Sequence, residues 1–112
     1  MVKNIFPKRR DIVKIDFEPT LGHEQGGVRP AIVLSNSKYN ESTGLMVVCP
    51  ITRKKRNYFF EVDIETTKTN GVIIVNHLKN VDWRCRKIKI IESVPETIMK
   101  EINSKLLFLL SD

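Results

Sequence analysis

Short apolar runs separated by turn signals make up most of the first 90 residues. In the first of these runs Val13, Ile15 and Phe17 alternate with the polar residues Lys14 and Asp16. This period of two predicts a strand with one buried face. Further strands are predicted at residues 31–34, 45–49, 59–64, 72–75 and 87–90, with turns at 40–44 and 70–71. Six or so short strands in about 80 residues favour a strongly bent sheet or small barrel over alternating strand–helix units.

The spacing of apolar residues changes after about residue 93, from the alternation of a strand to the spacing of a helix. The sequence Ser93-Val94-Pro95-Glu96 fits a capping box with proline near the first helical position. We therefore expect a C-terminal helix from about Pro95 to about Leu110 that packs on the sheet. Its expected core face is a stripe of apolar residues at helical spacing, comprising Ile98, Met99, Ile102, Leu106 and Leu109.

The chain length bounds the architecture and the class of protein. With 112 residues at ordinary apolar content, the chain is expected to form a single domain, residues 1–112. The longest apolar run, residues 106–110, is too short to cross a bilayer, so we expect a cytoplasmic protein without a membrane partner. Cys49 and Cys85 form no CxxC pair, and Cys49 is most simply a core residue. With two histidines and no clustered carboxylates, we expect neither a bound metal nor another cofactor.

The positive charge of the chain suggests a negatively charged partner. The formal net charge is +6, and four basic residues are consecutive at 53–56. This pattern favours a polyanion, nucleic acid first, although a basic run of this length is as often a solvated loop. Tyr58, Phe59 and Phe60 follow it, and aromatic rings beside cations are suited to stacking single-stranded bases. The alternative is that Phe59 or Phe60 faces the core of the next strand.

Candidate chemistry lies in a glycine-rich loop between the first two strands. The loop carries His23, Glu24 and Gln25 and ends at Arg29, before Pro30. An imidazole, a carboxylate, an amide and a guanidinium between two strands provide groups for acid–base chemistry on a phosphate ester. Arg29 is suited to gripping phosphate oxygens, because a guanidinium stays charged and is a poor proton carrier at neutral pH. His23 and Glu24 compete for proton transfer, with an exposed loop histidine and a structural glutamate as the alternatives.

Seven elements in order resemble the MazF/PemK family of bacterial toxin endoribonucleases. They are residues 15–20, the loop 22–30, Leu34-Ser35 with Tyr39-Asn40, Pro50-Ile51-Thr52, Gly71-Val72, the segment 79–86 with its Asp-Trp-Arg-x-Arg pattern, and Val94-Pro95-Glu96. The resemblance implies a mainly β (α+β) fold, an SH3-like small barrel of the CcdB/PemK-like type with a C-terminal helix. It also implies a homodimer and a cognate MazE-like antitoxin whose acidic C-terminal segment blocks the groove.

The implied activity is metal-independent, sequence-specific cleavage of single-stranded RNA. Attack by the 2′-hydroxyl on the phosphate would leave a 2′,3′-cyclic phosphate and a 5′-hydroxyl end. Base selection is expected in the loops 18–28 and 53–58. Two alternatives remain from the residues alone: a non-catalytic binder of DNA gyrase that resembles CcdB, which is thought to share the barrel, and a small RNA-binding module without chemistry.

By the same resemblance, each candidate site residue has an implied role. Arg29 and Thr52 match catalytic positions, with a turn-capping threonine as the alternative for Thr52, and His23 and Glu24 fall in the catalytic loop. Asn76 stands where the family commonly has aspartate, so it cannot act as the base, and His77 is a possible replacement. The expected RNA-binding residues are Gln25, Lys54, Lys55, Arg56, Tyr58, His77 and Arg86, and the expected dimer-interface residues are Trp83 and Arg84.

Overall fold

A computed structural model describes residues 5–16 and 27–112 of the chain. Within these ranges it contains seven strands, two α-helices and one short 3-10 turn at Val75–His77. The strands are β1 (Asp11–Asp16), β2 (Val28–Val33), β3 (Leu45–Thr52), β4 (Glu61–Glu65), β5 (Asn70–Ile74), β6 (Lys79–Asp82) and β7 (Ile88–Ser93), and the helices are α1 (Ser37–Thr43) and α2 (Glu96–Leu110).

The strands form a curled antiparallel half-barrel. The order along the sheet is β4-β5-β3-β2-β1-β7, and β6 pairs with the first half of β3. The strand β3 therefore has three partners: β2, β5 and β6. The predicted mainly β fold with a C-terminal helix is confirmed. The strand β6 was not predicted, because its four residues carry no visible alternation.

Apolar side chains on the two faces of the sheet form two core clusters. Ile12, Ile32 and Cys49 belong to the first cluster, which α2 also covers. Val13 and Ile15 belong to the second. The prediction that β1 buries only one face is wrong at Ile12, whose side chain is fully buried on the opposite side. Ile12 lies on the same face as Lys14, and the pairing of β1 with β7 shifts register beside it, between Ile12 and Val13.

The helix α2 covers the first core cluster, as predicted. Met99 and Ile102 are fully buried, and Ile98 and Leu106 are partly buried and pack against the same cluster. Leu109 is 37% exposed, so the buried stripe ends before the last turn of the helix.

The predicted capping box at the start of α2 is wrong. Pro95 is the N-cap residue and makes no side-chain capping hydrogen bond. Ser93 belongs to β7 instead, so its backbone pairs with Asp11 in the sheet. The extended backbone of Pro95, with φ −65°, turns the chain from β7 into the helix.

The segment predicted as a turn at residues 40–44 is the end of helix α1. The Asn36 side chain caps this helix by accepting hydrogen bonds from the backbone N–H groups of Lys38 and Tyr39. Gly44 ends it with a left-handed φ of 74°. Asn40 is buried, and its Nδ2 donates to the carbonyl of Pro7 at 2.9 Å. Seven residues are too few to display helical periodicity in the sequence.

The strand predicted at residues 59–64 begins two residues later, at Glu61. A turn precedes it, because the Glu61 N–H donates to the Tyr58 carbonyl at 3.1 Å. Phe60 is partly buried and packs against the first core cluster, which confirms the core alternative for this residue. Phe59 is exposed and contacts the rings of Phe60 and Phe108. In the described ranges no helix is both long and apolar enough to cross a membrane.

Candidate nucleic-acid interface and active site

Arg29 and Thr52 lie on neighbouring antiparallel strands, β2 and β3. Ala31 pairs with Pro50, and the same register continues through Cys49 and Val48. The paired register ends at Ala31 and Pro50, and Arg29 and Thr52 each lie two residues beyond it, at the same end of the two strands. Both residues also lie on the face of the strands that carries Ala31 and Val48, because side chains alternate with a period of two. The fold thus brings together two candidate catalytic residues that are 23 positions apart.

Arg29 and Thr52 line one broad groove of about 1070 Å³. Among the described residues, seven lysines and arginines line this groove, but only one carboxylate does, that of Glu61. A concave surface with this charge balance attracts a polyanion and raises its local concentration. The cations are Lys14, Arg29, Arg53, Lys54, Arg56, Lys68 and Lys79.

Thr52 is held tightly at the end of β3. Its Oγ1 accepts a hydrogen bond from the Lys54 N–H at 3.2 Å, as the turn-capping alternative requires. This contact uses a lone pair and leaves the hydroxyl hydrogen able to donate to a ligand in the groove. On the neighbouring strand Gly71 approaches so closely that a Cβ atom there would lie 2.3 Å from the Thr52 carbonyl oxygen. Only glycine fits this approach, so the β3–β5 contact fixes the Thr52 backbone.

The basic loop, defined here as residues 53–58, forms one rim of the groove. Lys54, Arg56 and Tyr58 are exposed and line the groove with Arg29 and Thr52. Tyr58 is 64% exposed, which leaves its ring accessible for stacking.

Lys55 differs from its neighbours in this loop. Its Nζ lies 2.8 Å from Asp63 Oδ1 in an exposed ion pair, and it is absent from the groove lining. The hydrogen bond and charge of Asp63 raise the pKa of Lys55.

The 3-10 turn Val75–His77 presents two polar side chains to the groove. Asn76 and His77 are both exposed and both belong to the lining. The turn follows β5 directly, and the Val75 N–H donates to the Phe60 carbonyl at 2.9 Å. His77 is therefore in the same groove as Arg29 and Thr52.

Three other candidates lie away from the groove lining. Trp83 is partly buried and packs against the second core cluster, and its Nε1 donates to the Asn40 carbonyl at 2.9 Å. The guanidinium of Arg84 lies 5.5 Å from the Trp83 ring centroid and donates to the Glu41 carbonyl at 3.1 Å. Arg86 donates to the Asp16 carbonyl at 3.2 Å.

His23, Glu24 and Gln25 lie outside the described residues. Their proposed roles in proton transfer and RNA binding therefore remain predictions. The described chain resumes at Gly27, next to Val28 and Arg29.

Sequence reasoning missed three of the seven groove cations, Lys14, Lys68 and Lys79, and included Arg53 only as part of the basic run and its loop. Lys14 is visible as the exposed residue of an alternating strand, and Arg53 belongs to the basic run already noted. Lys68 and Lys79 carry no local signal, because only the sheet topology brings them to the groove. Glu61, the one carboxylate among the described lining residues, was also missed.

Neither cysteine lines the groove. Cys49 is fully buried, as predicted, and burial raises its pKa to about 12. Cys85 is exposed, and the neighbouring Asp82 carboxylate raises its pKa. In the part of the chain that the structure describes, no three histidine, cysteine or acidic side chains are grouped so that they could hold a metal ion.

Comparisons with known proteins converge on one family. Residues 8–110 match the sequence family described as PemK-like, MazF-like toxin of type II toxin-antitoxin systems. The chain is 40% identical over 86 residues to the endoribonuclease toxin MazF of Escherichia coli K12, covering 77% of this chain and 78% of that protein. It is 33% identical over 104 residues to the endoribonuclease PemK of Escherichia coli, covering 88% and 78%.

A solved structure agrees with these sequence matches. The crystal structure of MazF from Deinococcus radiodurans superimposes with a TM-score of 0.87 at 39% identity, covering 96% of this chain and 98% of that one. A MazE–MazF crystal structure from the same organism gives 0.86 at 39% identity, covering 96% and 97%.

Proposed function

Because the chain belongs to the PemK-like, MazF-like family of type II toxins, we propose that it is a toxin endoribonuclease that cleaves single-stranded RNA at a short sequence. The observation that carries this proposal is that Arg29 and Thr52 line one groove, in which seven of the described lining residues are cations. Relatives named MazF and PemK are endoribonucleases, which supports the same reaction here. Cleavage of messenger RNA would stop translation and growth.

The proposed reaction is internal transesterification of the RNA and needs no metal ion. The 2′-oxygen attacks the adjacent phosphorus while the bond from phosphorus to the 5′-oxygen breaks. The proton of the 2′-hydroxyl passes to a base, and the 5′-oxygen receives a proton from an acid. The products are a 2′,3′-cyclic phosphate and a 5′-hydroxyl. DNA lacks the nucleophile, so it can bind in the groove without reacting.

Arg29 and Thr52 are proposed to stabilise the phosphorane. The guanidinium can donate two parallel hydrogen bonds to the non-bridging oxygens as negative charge develops. The hydroxyl of Thr52 is proposed to donate a third hydrogen bond from the opposite strand. Rigid placement favours this role, since Gly71 and the Lys54 N–H fix Thr52 from two sides.

Proton transfer is assigned to His23, Glu24 and His77 as a group. An imidazole titrates near neutral pH and can act as either base or acid, and Glu24 can orient it. His77 lines the groove, which supports a share for it in this chain. Asn76 has no titratable side chain and serves at most as a hydrogen-bond partner of the RNA.

Partners follow from the same proposal. The basic groove is complementary to an acidic segment of a MazE-like antitoxin, and MazE–MazF complexes are known for a relative. We also propose that the 112 residues form one domain and that the protein acts as a homodimer in the cytoplasm. Trp83 and Arg84 are proposed to lie near the dimer contact. The RNA itself is proposed to lie along Lys54, Arg56, Tyr58 and the loop residue Gln25, with Lys55 and Arg86 as outer contacts.

The proposal is tested by incubating purified protein with a long single-stranded RNA in excess EDTA and sequencing the fragment ends. We expect cuts at one short motif with 5′-hydroxyl and cyclic-phosphate ends. An oligonucleotide with a single 2′-deoxy substitution at the cut site is the matched control and should stay intact. Intact RNA in the presence of folded protein would contradict the proposal and leave a gyrase-binding or purely RNA-binding barrel as the alternative.

A further inference from the structure

Glu61 is a buried carboxylate directly beneath the basic loop. Its residue is only 7% exposed, although it begins β4 at the surface of the sheet. The Arg56 N–H donates to Glu61 Oε2 at 3.0 Å and to Oε1 at 3.2 Å, and the Asn57 N–H donates to Oε1 at 2.8 Å. The carboxylate thus accepts hydrogen bonds from two successive backbone amides of the loop.

The loop backbone is shaped to hold this anion. Asn57 has a φ of +62°, in the left-handed region that asparagine tolerates better than most residues. A left-handed residue in such a turn lets consecutive N–H groups converge on one negative charge. Charge-assisted hydrogen bonds are about twice as strong as neutral ones, so they offset the desolvation of the buried carboxylate. The side chain of Glu61 therefore fixes a segment that has no strand or helix of its own.

Glu61 is itself anchored to the C-terminal helix. Lys105 Nζ donates to the Glu61 carbonyl oxygen at 2.8 Å. The same ammonium group lies 5.1 Å from the ring centroid of Phe59 and 3.6 Å from Glu101 Oε2. The loop is thereby connected through Glu61 and Lys105 to the helix that covers the first core cluster.

We propose that Glu61 is a positioning residue for RNA recognition, which holds the basic loop so that Lys54, Arg56 and Tyr58 face the groove. This inference rests on the proposed function of the groove as an RNA site. A loop ordered before binding costs less conformational entropy when RNA binds. Glu61 should therefore control KM and the choice of cleavage sequence more than the rate of the chemical step at Arg29 and Thr52.

The test compares Glu61→Gln with Glu65→Gln, which makes the same chemical change at an exposed position on β4. Glutamine keeps the shape but loses the charge and presents an NH₂ group to one of the amides. For Glu61→Gln we expect KM for a short RNA substrate to rise about tenfold or more, with kcat changed less than about twofold. Glu65→Gln should match the wild type in both constants.

Amide hydrogen exchange supplies a readout that needs no RNA. In Glu61→Gln the amides of Arg56 and Asn57 should exchange about tenfold faster or more, while the Val62 and Ile64 amides stay protected. Unchanged exchange and unchanged KM would overturn the inference and leave the proposed function intact. An equal fall of kcat and kcat/KM would overturn it too, since it would indicate a role in the chemistry. A wild type that cuts no RNA would refute the proposed function, while the exchange data would still decide whether Glu61 orders the loop.

A second variant covers the case in which Glu61→Gln fails to fold. Asn57→Pro leaves Glu61 in place but removes the N–H that makes the shortest of the three contacts. Proline also cannot adopt a φ of +62°, and the position is exposed, so the sheet should still form. We expect the same rise in KM. A folded Asn57→Pro protein with the KM of the wild type would overturn the inference.

Discussion

Replacing Gly71 by alanine tests whether the close approach of β5 to β3 sets the position of Thr52. A Cβ atom at this position would lie 2.3 Å from the Thr52 carbonyl oxygen and 2.9 Å from its carbonyl carbon. Real Cβ contacts are essentially never shorter than 3.0 Å, so the strands must separate by at least about 0.7 Å. Both clashing atoms are backbone, which means that no side-chain rotation relieves the contact.

The expected consequences are a less stable protein and a slower reaction. Overpacking of this kind costs about 1–3 kcal/mol of unfolding free energy, which corresponds to a Tm lower by about 4–13 °C in a chain of this size. A catalytic group displaced by about 1 Å can lose about a hundredfold in rate. For Gly71→Ala we therefore expect the cleavage step to be about tenfold to a hundredfold slower, because the strand separation approaches 1 Å.

The assay is single-turnover cleavage of an RNA oligonucleotide carrying the identified motif, at a temperature well below both melting transitions. Ile102→Val is the control for lost stability, because it removes a methyl group from the fully buried face of α2, on a different element from Thr52, and costs about 0.5–1.5 kcal/mol. The control should lose stability and keep the wild-type rate. The reasoning would be refuted by a Gly71→Ala protein that melts at a lower temperature but cleaves at the wild-type rate.

Three further predictions concern charge and cysteine reactivity. Lys54→Ala should make RNA binding less salt-dependent, lowering the slope of log K against log salt by about 0.7, and an unchanged slope would show that Lys54 contacts no phosphate. Asp63→Asn removes the carboxylate 2.8 Å from Lys55 and should tighten RNA binding about 1.5- to 5-fold at low salt, whereas weaker binding in titrations would contradict this. Cys85 is exposed and should react with a thiol reagent in the native protein at pH 8. Cys49 is buried with a pKa of about 12, so it should react only after denaturation. Equal reaction rates of the two thiols in the native protein, measured by mass spectrometry, would contradict the burial of Cys49.

Much of the fold can be predicted from local patterns. The C-terminal helix follows from the spacing of Met99 and Ile102, and most strands follow from alternation or from short β-branched runs. Helix α1 was missed even though Asn36 and Gly44 are suitable capping residues, because seven residues contain too few apolar positions to show a period. The capping box was wrongly predicted because Ser93 satisfies its backbone in the sheet instead.

The site was predicted only in part, because strand pairing, rather than a local sequence pattern, brings its residues together. Arg29 and Thr52 could be selected from their motifs, but their placement on facing strands depends on the register between β2 and β3. Lys68 and Lys79 reach the groove only through the topology of the whole sheet. Glu61 resembles an ordinary polar residue at the start of a strand, and its role is visible only from the backbone amides that converge on it.

The most direct test of the central claim is to measure binding and cleavage separately in an Arg29→Ala variant. Binding is measured with an RNA whose cut site carries a 2′-deoxy sugar, and cleavage is measured with the all-ribose RNA in a single turnover. The account predicts cleavage slower by about 100- to 1000-fold or more, with Kd weakened by less than about tenfold, and an intermediate rate for Arg29→Lys, which keeps the charge but loses the planar fork. Equal losses of binding and cleavage would contradict the account, because Arg29 would then be a docking contact and the chemistry would lie elsewhere.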